Sequence, residues 1–319
     1  MDRNITSIGI TERISTSLHI GGRLVELTRP WVMGIVNATP DSFFAGSRCA
    51  SGAAAATRVA RMLADGADII DLGACSTRPG AAPVSEKEET ERLDSALEAI
   101  RARFPEALIS IDTYRAAVAR HCVERWHADM INDISAGDLD PEMAITVAEL
   151  KVPYVAMHTR GTPDSMQQLT DYDDVTAEVL EALARKVDLL HAIGIADVIV
   201  DPGFCFAKSI DQNYQLLGRL PVFRQLRCPL LVGISRKTMI WKELGIRPDE
   251  ALNGTTVLNT LALIGGASIL RVHDVKEAVQ AVTLFEAMLR NLPADFPSIS
   301  TLFNPDLNPD LNPDGLIPY

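Results

Sequence analysis

The segment VMGIVN (Val32–Asn37), the helical stretch Ala53–Ala67 and the run ADIIDLG (Ala67–Gly73) form the unit whose repetition decides the fold. Two β-branched runs separated by a stretch of three- and four-residue periodicity predict parallel strands joined by a crossover helix. The alternation continues through LISID at Asp112, DMINDI around Asn132, YVAMH at His158, VIVDPG at Asp201, LLVGIS at Ser235 and ILRVH at His273. That makes about eight strands, the number that closes a TIM (β/α)8 barrel, over a span near the roughly 250 residues such barrels use. Helices expected over Glu86–Arg103, Thr176–Ile193 and Val275–Asn291 supply the outer ring. Residues 31–292 therefore read as one α/β barrel. Within residues 1–30, Ile5–Leu27 alternates apolar and polar residues around Gly21-Gly22, as a β-hairpin does, and such a hairpin would cap the barrel floor. Residues 293–319, with the near-repeat NPDLNPDLNPDG, form a Pro-, Asn- and Asp-rich tail with too little apolar content to pack.

Composition narrows the function classes. The chain has 319 residues, 47% hydrophobic and 23% charged, enough for a full core without disulfide or metal staples. A formal charge of −12 would repel a phosphate backbone over most of the surface, which argues against a nucleic-acid or anionic-membrane binder. Five scattered cysteines, none in a Cys-x-x-Cys spacing, fit neither a disulfide framework nor a structural zinc site and point to a reducing cytoplasm. The N-terminal stretch lacks a signal peptide's apolar core, and Leu261–Leu270 is too short to span a bilayer.

Strand after strand ends in a group able to bond, charge or coordinate: Asn37, Thr77-Arg78, Asp112, Asn132, Asp201, Ser235 to Lys237, and Arg271 to His273. One such Asp or Asn is most often a turn former or helix cap, but in a barrel all strand ends converge on one mouth, where catalytic loops sit. Ser235 with Lys237, and Arg271 with His273, lie two apart, so in extended backbone each pair points one way. Guanidinium, imidazole and ammonium groups suit a phosphorylated anion. Asp112, Asn132 and Asp201 offer acceptors and an amide fork to a flat, nitrogen-rich ring. The expected ligand is a heteroaromatic ring with a phosphate or pyrophosphate arm. His158 and Lys208 read equally well as structural, and His121, His127 and His191, in helical stretches, read as structural.

At these positions the sequence resembles the dihydropteroate synthase family. The motifs follow in order as MGIVNATPDSF (Met33–Phe43), STRPG (Ser76–Gly80), SIDTYR (Ser110–Arg115), MINDIS (Met130–Ser135), YVAMHTRGTPDSMQ (Tyr154–Gln167), DPGF (Asp201–Phe204), VGISRK (Val232–Lys237) and LRVHDV (Leu270–Val275). The resemblance implies a TIM-barrel transferase of folate biosynthesis and a sulfonamide target. Its reaction condenses 6-hydroxymethyl-7,8-dihydropterin pyrophosphate with p-aminobenzoate to give 7,8-dihydropteroate and pyrophosphate. It further implies that Asp112, Asn132, Asp201 and Lys237 bind the pterin and that Asn37, Arg271 and His273 bind the pyrophosphate. Arg271, His273 and Lys237 are implied as the catalytic set, with Asn37 also touching a magnesium ion. Phe43, Thr77, Arg78 and Pro79 resemble two mobile loops on the p-aminobenzoate side, Ser235 the residue at its carboxylate, and the assembly implied is a homodimer.

Three positions depart from the family pattern. Cys75 stands where the family has Glu, and Cys205 and Ala207 stand where it has glycines. If those glycines serve a positive φ, a Cβ there costs on the order of 1 kcal/mol. Two other readings share the barrel: a pterin-binding methyltransferase domain, against which STRPG, SRK and RVHD weigh together, and a non-catalytic pterin-binding paralogue.

Overall fold

The computed structural model describes residues 17–38, 51–75 and 84–292. An antiparallel hairpin, β1 (Ser17–Ile20) and β2 (Arg23–Glu26), turns through Gly21 and Gly22, both in the left-handed region at φ +58° and +69°. Two successive positive φ values make the type I′ turn that suits the twist of a two-residue hairpin, and glycine reaches them without strain.

Eight parallel strands follow: β3 (Trp31–Asn37), β4 (Ile69–Gly73), β5 (Ile109–Asp112), β6 (Met130–Asp133), β7 (Tyr154–Met157), β8 (Val198–Asp201), β9 (Leu231–Val232) and β10 (Ile269–Val272). They pair in the order β8-β7-β6-β5-β4-β3-β10-β9. A parallel bridge between Val200 and Leu230, with the Val200 N–H donating to Pro229 O at 2.9 Å, joins the two ends and closes the barrel.

The strand runs read from the sequence all form, several shortened by a residue or two, and β9 is cut to two residues because the chain turns after Val232. The outer helices are α1 (Gly52–Ala64), α2 (Glu86–Arg103), α3 (Ala116–Trp126), α4 (Met143–Leu150), α5 (Val175–Ile193), α6 (Ile210–Gly218), α7 (Thr238–Trp241), α8 (Leu252–Ile264) and α9 (Val275–Arg290). Local chemistry sets their ends. Ser51, Ser85 and Asp174 cap helix N-termini with side-chain oxygens, and Ser209 with Gln212 forms a capping box.

Period-two alternation sorts the strands into two cores. Residues such as Val32, Val36, Ile70, Leu72, Ile111, Ile131 and Leu270 face the helices in the larger cluster. Met33, Ile69, Met130, Val155, Ile199, Leu231 and Ile269 face inward and meet Leu18, Ile20 and Leu27 of the hairpin, which seal the floor. The next inward residue up several of these strands is polar: Asp71, Asn132, Asp201 and Arg271 lie two beyond Ile69, Met130, Ile199 and Ile269, and Asp112 lies two beyond the buried Ser110. The dry floor thus sets the height of the polar layer.

The turn after β8 is the least ordinary backbone in the barrel. Gly203 has φ +72°, and a Cβ there would stand 1.9 Å from His158 O, so only glycine fits. Cys205 and Ala207 adopt φ +64° and +49°, so the side chains found in place of the family's glycines do sit in left-handed backbone. Each pays a strain that glycine would not, only partly offset by glycine's larger unfolded-state entropy. We expect Cys205→Gly and Ala207→Gly each to raise stability by about 0.5–1 kcal/mol, measured as a rise in denaturant midpoint at constant m-value.

Candidate active site

The mouth is built around one half-buried guanidinium. Arg271, on β10, donates from Nε to Asp71 Oδ2 at 2.6 Å and from Nη2 to Asp112 Oδ2 at 2.6 Å, bridging β4 and β5. Asn132 donates from Nδ2 to the same Asp71 oxygen at 3.0 Å. Burial pushes the Asp112 carboxyl up, against the pull of Arg271 and with the help of the Asp71 carboxylate, to about 7. On the opposite wall Asp201 accepts the Gly203 N–H at 2.8 Å, and burial raises its carboxyl while the nearby Lys237 ammonium opposes the shift.

Lys237 donates to Phe204 O at 2.8 Å and lies 4.8 Å from the centre of the Phe206 ring. It reaches the mouth by a route other than strand parity. Arg236 sits at φ +55°, and Lys237 N–H closes a turn on Ile234 O, so Ser235 and Lys237 do not flank an extended residue. Ser235 instead turns to β10, where its Oγ accepts the His273 backbone N–H at 3.1 Å and meets His273 Nδ1 at 3.0 Å. Between them, Arg236 makes a bidentate fork to Asp274, at 2.7 and 2.9 Å, and donates to Pro248 O and Asp249 O. It is a buried tie that holds the SRK turn to the end of β10.

His273 is not the cation that its spacing suggested. Burial, with the charges of Arg271, Arg58, Arg236 and Lys237 around it, depresses the imidazole to about 3, so in this protein it is a neutral ring inside a strongly electropositive corner. Arg58, from α1, donates to His273 O at 3.2 Å. Asn37 ends β3 opposite Gly73 of β4, on the same rim.

The polar set foreseen from the strand ends is thus largely brought together: Asp112 and Arg271 directly, Asn132 through Asp71, Asp201 and Lys237 across the turn after β8, and Ser235 with His273. Phe43, Thr77, Arg78 and Pro79 lie outside the described residues. Asp71 went unrecognised in ADIIDLG, although an Asp inside an apolar strand, in phase with the inward Ile69 and Gly73, was a readable signal. Arg58 had no such signal, since an arginine on an amphipathic helix is ordinary.

Behind the Asp201 wall, Lys208 is buried and donates to His158 Nδ1 at 3.1 Å, Gly203 O at 3.0 Å and Phe206 O at 3.0 Å. Burial pulls its ammonium down to about 7, with the Asp201 carboxylate opposing. Burial and the Lys208 charge also hold His158 neutral, down to about 2. A second buried knot lies under the helices, where Glu89 takes Thr113 Oγ1 at 2.7 Å and pairs with Arg115, which also donates to Val84 O at 2.7 Å. Cys75, in place of the family's Glu, lies beside it, its thiol pushed up by burial and by Glu89.

Comparison with known proteins places the chain in one family. Residues 33–273 match the family model described as pterin binding enzyme. The dihydropteroate synthase of a Synechocystis strain is 44% identical over 82% of this chain and 91% of its own length. A Yersinia pestis dihydropteroate synthase, solved with a sulfonamide drug complex, superposes with a TM-score of 0.82 at 39% identity, covering 86% of this chain and all of that one. The Xanthomonas albilineans enzyme with 4-aminobenzoic acid gives 0.79 at 39% identity over 88% of this chain and all of its own. This chain belongs to the dihydropteroate synthase family. It is accordingly a transferase of the pterin-binding type.

Lys208 is the fastener of the loop after β8. Replacing it by Met would leave two buried carbonyls and a histidine nitrogen without their donor, a loss of about 2–4 kcal/mol. Chemical denaturation of Lys208→Met checks this, with a parallel loss expected for Lys208→Arg because the closed shell of acceptors has no room for a guanidinium fork.

Proposed function

We propose that this protein condenses 6-hydroxymethyl-7,8-dihydropterin pyrophosphate with p-aminobenzoate, forming 7,8-dihydropteroate and releasing pyrophosphate. One observation carries the residue assignments: acceptors from three strands, Asp112, Asn132 and Asp201, share a mouth with the cationic corner of Arg271, Lys237, Arg58 and Arg236. The acceptors suit the N–H groups of a pterin ring. The cations suit the diphosphate on its methylene arm. Arg271 touches both regions, since its guanidinium lies against Asp112 at the ring end while its charge bears on His273.

The chemistry follows from that polarity. The arylamine nitrogen forms a bond to the methylene carbon, the carbon–oxygen bond to pyrophosphate breaks with its electron pair leaving on oxygen, and the amine proton is lost to solvent or to the departing diphosphate. An arylamine is already neutral near pH 7, so the barrier lies in expelling the leaving group. Fixed positive charge lowers it by stabilising the oxygen on which charge grows. His273, neutral in the free site, can donate a hydrogen bond to that oxygen. Phe43, Thr77, Arg78, Pro79 and Ser235 belong to the p-aminobenzoate side in this reading.

Magnesium fits as an ion that arrives with the diphosphate. Among the described residues no group of three or more His, Cys, Asp or Glu side chains could cage a metal. A magnesium ion characteristically takes few protein ligands and several phosphate and water oxygens, and Asn37 on the rim supplies a suitable amide oxygen. When bound, it would neutralise charge on the leaving group.

A homodimer is supported by an apolar face on α8 and α9, where Val257 and Leu261 are 51% and 45% exposed and Leu284 is 72% exposed. No helix among the described residues is long and apolar enough to cross a membrane, and the four described cysteines are free thiols, which supports a cytoplasmic setting.

Incubation with dihydropterin pyrophosphate, p-aminobenzoate and magnesium should yield a product of the mass of dihydropteroate with stoichiometric pyrophosphate; binding without turnover would reduce the protein to a pterin binder. Asp112→Asn should weaken pterin binding by roughly 10- to 100-fold, the worth of one charge-assisted pair of bonds. Because the carboxylate form accepts the ring N–H groups, wild-type affinity should fall as pH drops through about 7, and calorimetry at pH 6 and pH 8 should find that dependence flattened in Asp112→Asn. Val257→Glu combined with Leu261→Glu should give a monomer in sedimentation velocity.

A further inference from the structure

Asp71 is fully buried in the middle of β4, and among the described residues everything its carboxylate accepts comes from the site: Arg271 Nε at 2.6 Å and Asn132 Nδ2 at 3.0 Å, both on Oδ2. Its Oδ1 accepts nothing from the described side chains or backbone. A carboxylate tied to the fold alone would hold a turn or a helix end, as Asp133 does through Ser135, Gly137 and Tyr154.

The pairing also settles an orientation. An ionised carboxylate can only accept, so the group that Asn132 gives it is the NH2, and the atom left for a ligand is the Asn132 carbonyl oxygen. The same carboxylate holds Arg271 by Nε, so the guanidinium plane is set from below while Nη2 reaches Asp112.

We infer that Asp71 is a positioning residue that sets the hydrogen-bond polarity of the ring pocket, turning Asn132 so that it accepts and holding Arg271 against Asp112. With Asp112 and Asp201, the pocket then presents acceptors from three strands and selects a ring edge rich in N–H donors. This rests on the pterin reading above and adds to it the residue that makes the pocket discriminate. An amide at position 71 could donate to Asn132 Oδ1, allow the Asn132 amide to turn over, and show an N–H to the ligand instead.

The test compares pterin with pteridin-4(3H)-one, which lacks the 2-amino group and keeps ring N1 and N3–H unchanged, so only that donor is removed. Calorimetry on the full-length protein should show wild type preferring pterin by about ten-fold or more, the worth of a donor whose loss leaves a buried acceptor unpaired. Asp71→Asn should lose most of that preference, and Asp71→Ala should bring the two affinities together. Equal weakening of both ligands with the preference intact would make Asp71 a structural counterion and overturn the inference.

Selective 15N-asparagine labelling gives a second readout that needs no variant to fold. The Asn132 side-chain N–H signals of wild type should stay protected from exchange and little shifted when pterin binds, because they face Asp71. A large shift on pterin binding would mean that the NH2 faces the ligand and would overturn the inference. Failure of wild type to bind either ligand would instead overturn the pterin reading itself, and this inference with it.

Discussion

A guanidinium set among the inward side chains of a barrel is largely withdrawn from bulk water, and the mouth of this protein is arranged around that constraint. Taking a charge out of water costs several kcal/mol unless opposite charge and hydrogen bonds compensate it. Arg271 finds both in Asp71 and Asp112, which are 200 and 159 residues away along the chain. Because β10 pairs with β3, and β3 with β4, the pairing of the last strand with the first of the barrel is what brings these groups within reach. The pairings stitch β10 to β4 and β5 and hold two acidic groups together that would otherwise repel one another.

The same logic organises the opposite wall by different means. Asp201 and Lys237 share a water-poor environment, and the turn between β8 and α6 brings backbone carbonyls toward two lysines. Lys208 gathers Gly203 and Phe206, Lys237 takes Phe204, and Asn213 accepts the Cys205 N–H at 2.6 Å. These ties over-determine the turn, so Cys205 and Ala207 are carried in left-handed backbone with no break in the hydrogen bonding around them.

Below both walls the apolar floor does quieter work. Leu18 and Ile20 of the hairpin, together with the inward residues of seven strands, exclude water from the barrel interior. The polar layer therefore begins abruptly. One residue pair lower, the inward groups are apolar except for Ser110 on β5 and the hydrophobic effect dominates; one pair higher, every charge must find a partner.

Much of this was legible in the chain itself. Repeated β-branched runs and helical periodicity determined the barrel class, Gly21-Gly22 the hairpin, and period-two alternation the inward aim of Asp112, Asn132, Asp201 and Arg271, because backbone geometry makes such patterns local. Only the tertiary structure decided what depends on groups far apart in sequence. Asp71 reads as one acid in a buried strand until closure sets Arg271 and Asn132 against it. His273 reads as a base until burial and four neighbouring cations strip its charge. Ser235 and Lys237 read as a pair until the left-handed Arg236, pinned by Asp274, turns them apart. Patterns in a sequence carry the direction of a side chain along its own strand, whereas its charge, partners and tautomer are set by a field summed over every strand that meets at the mouth.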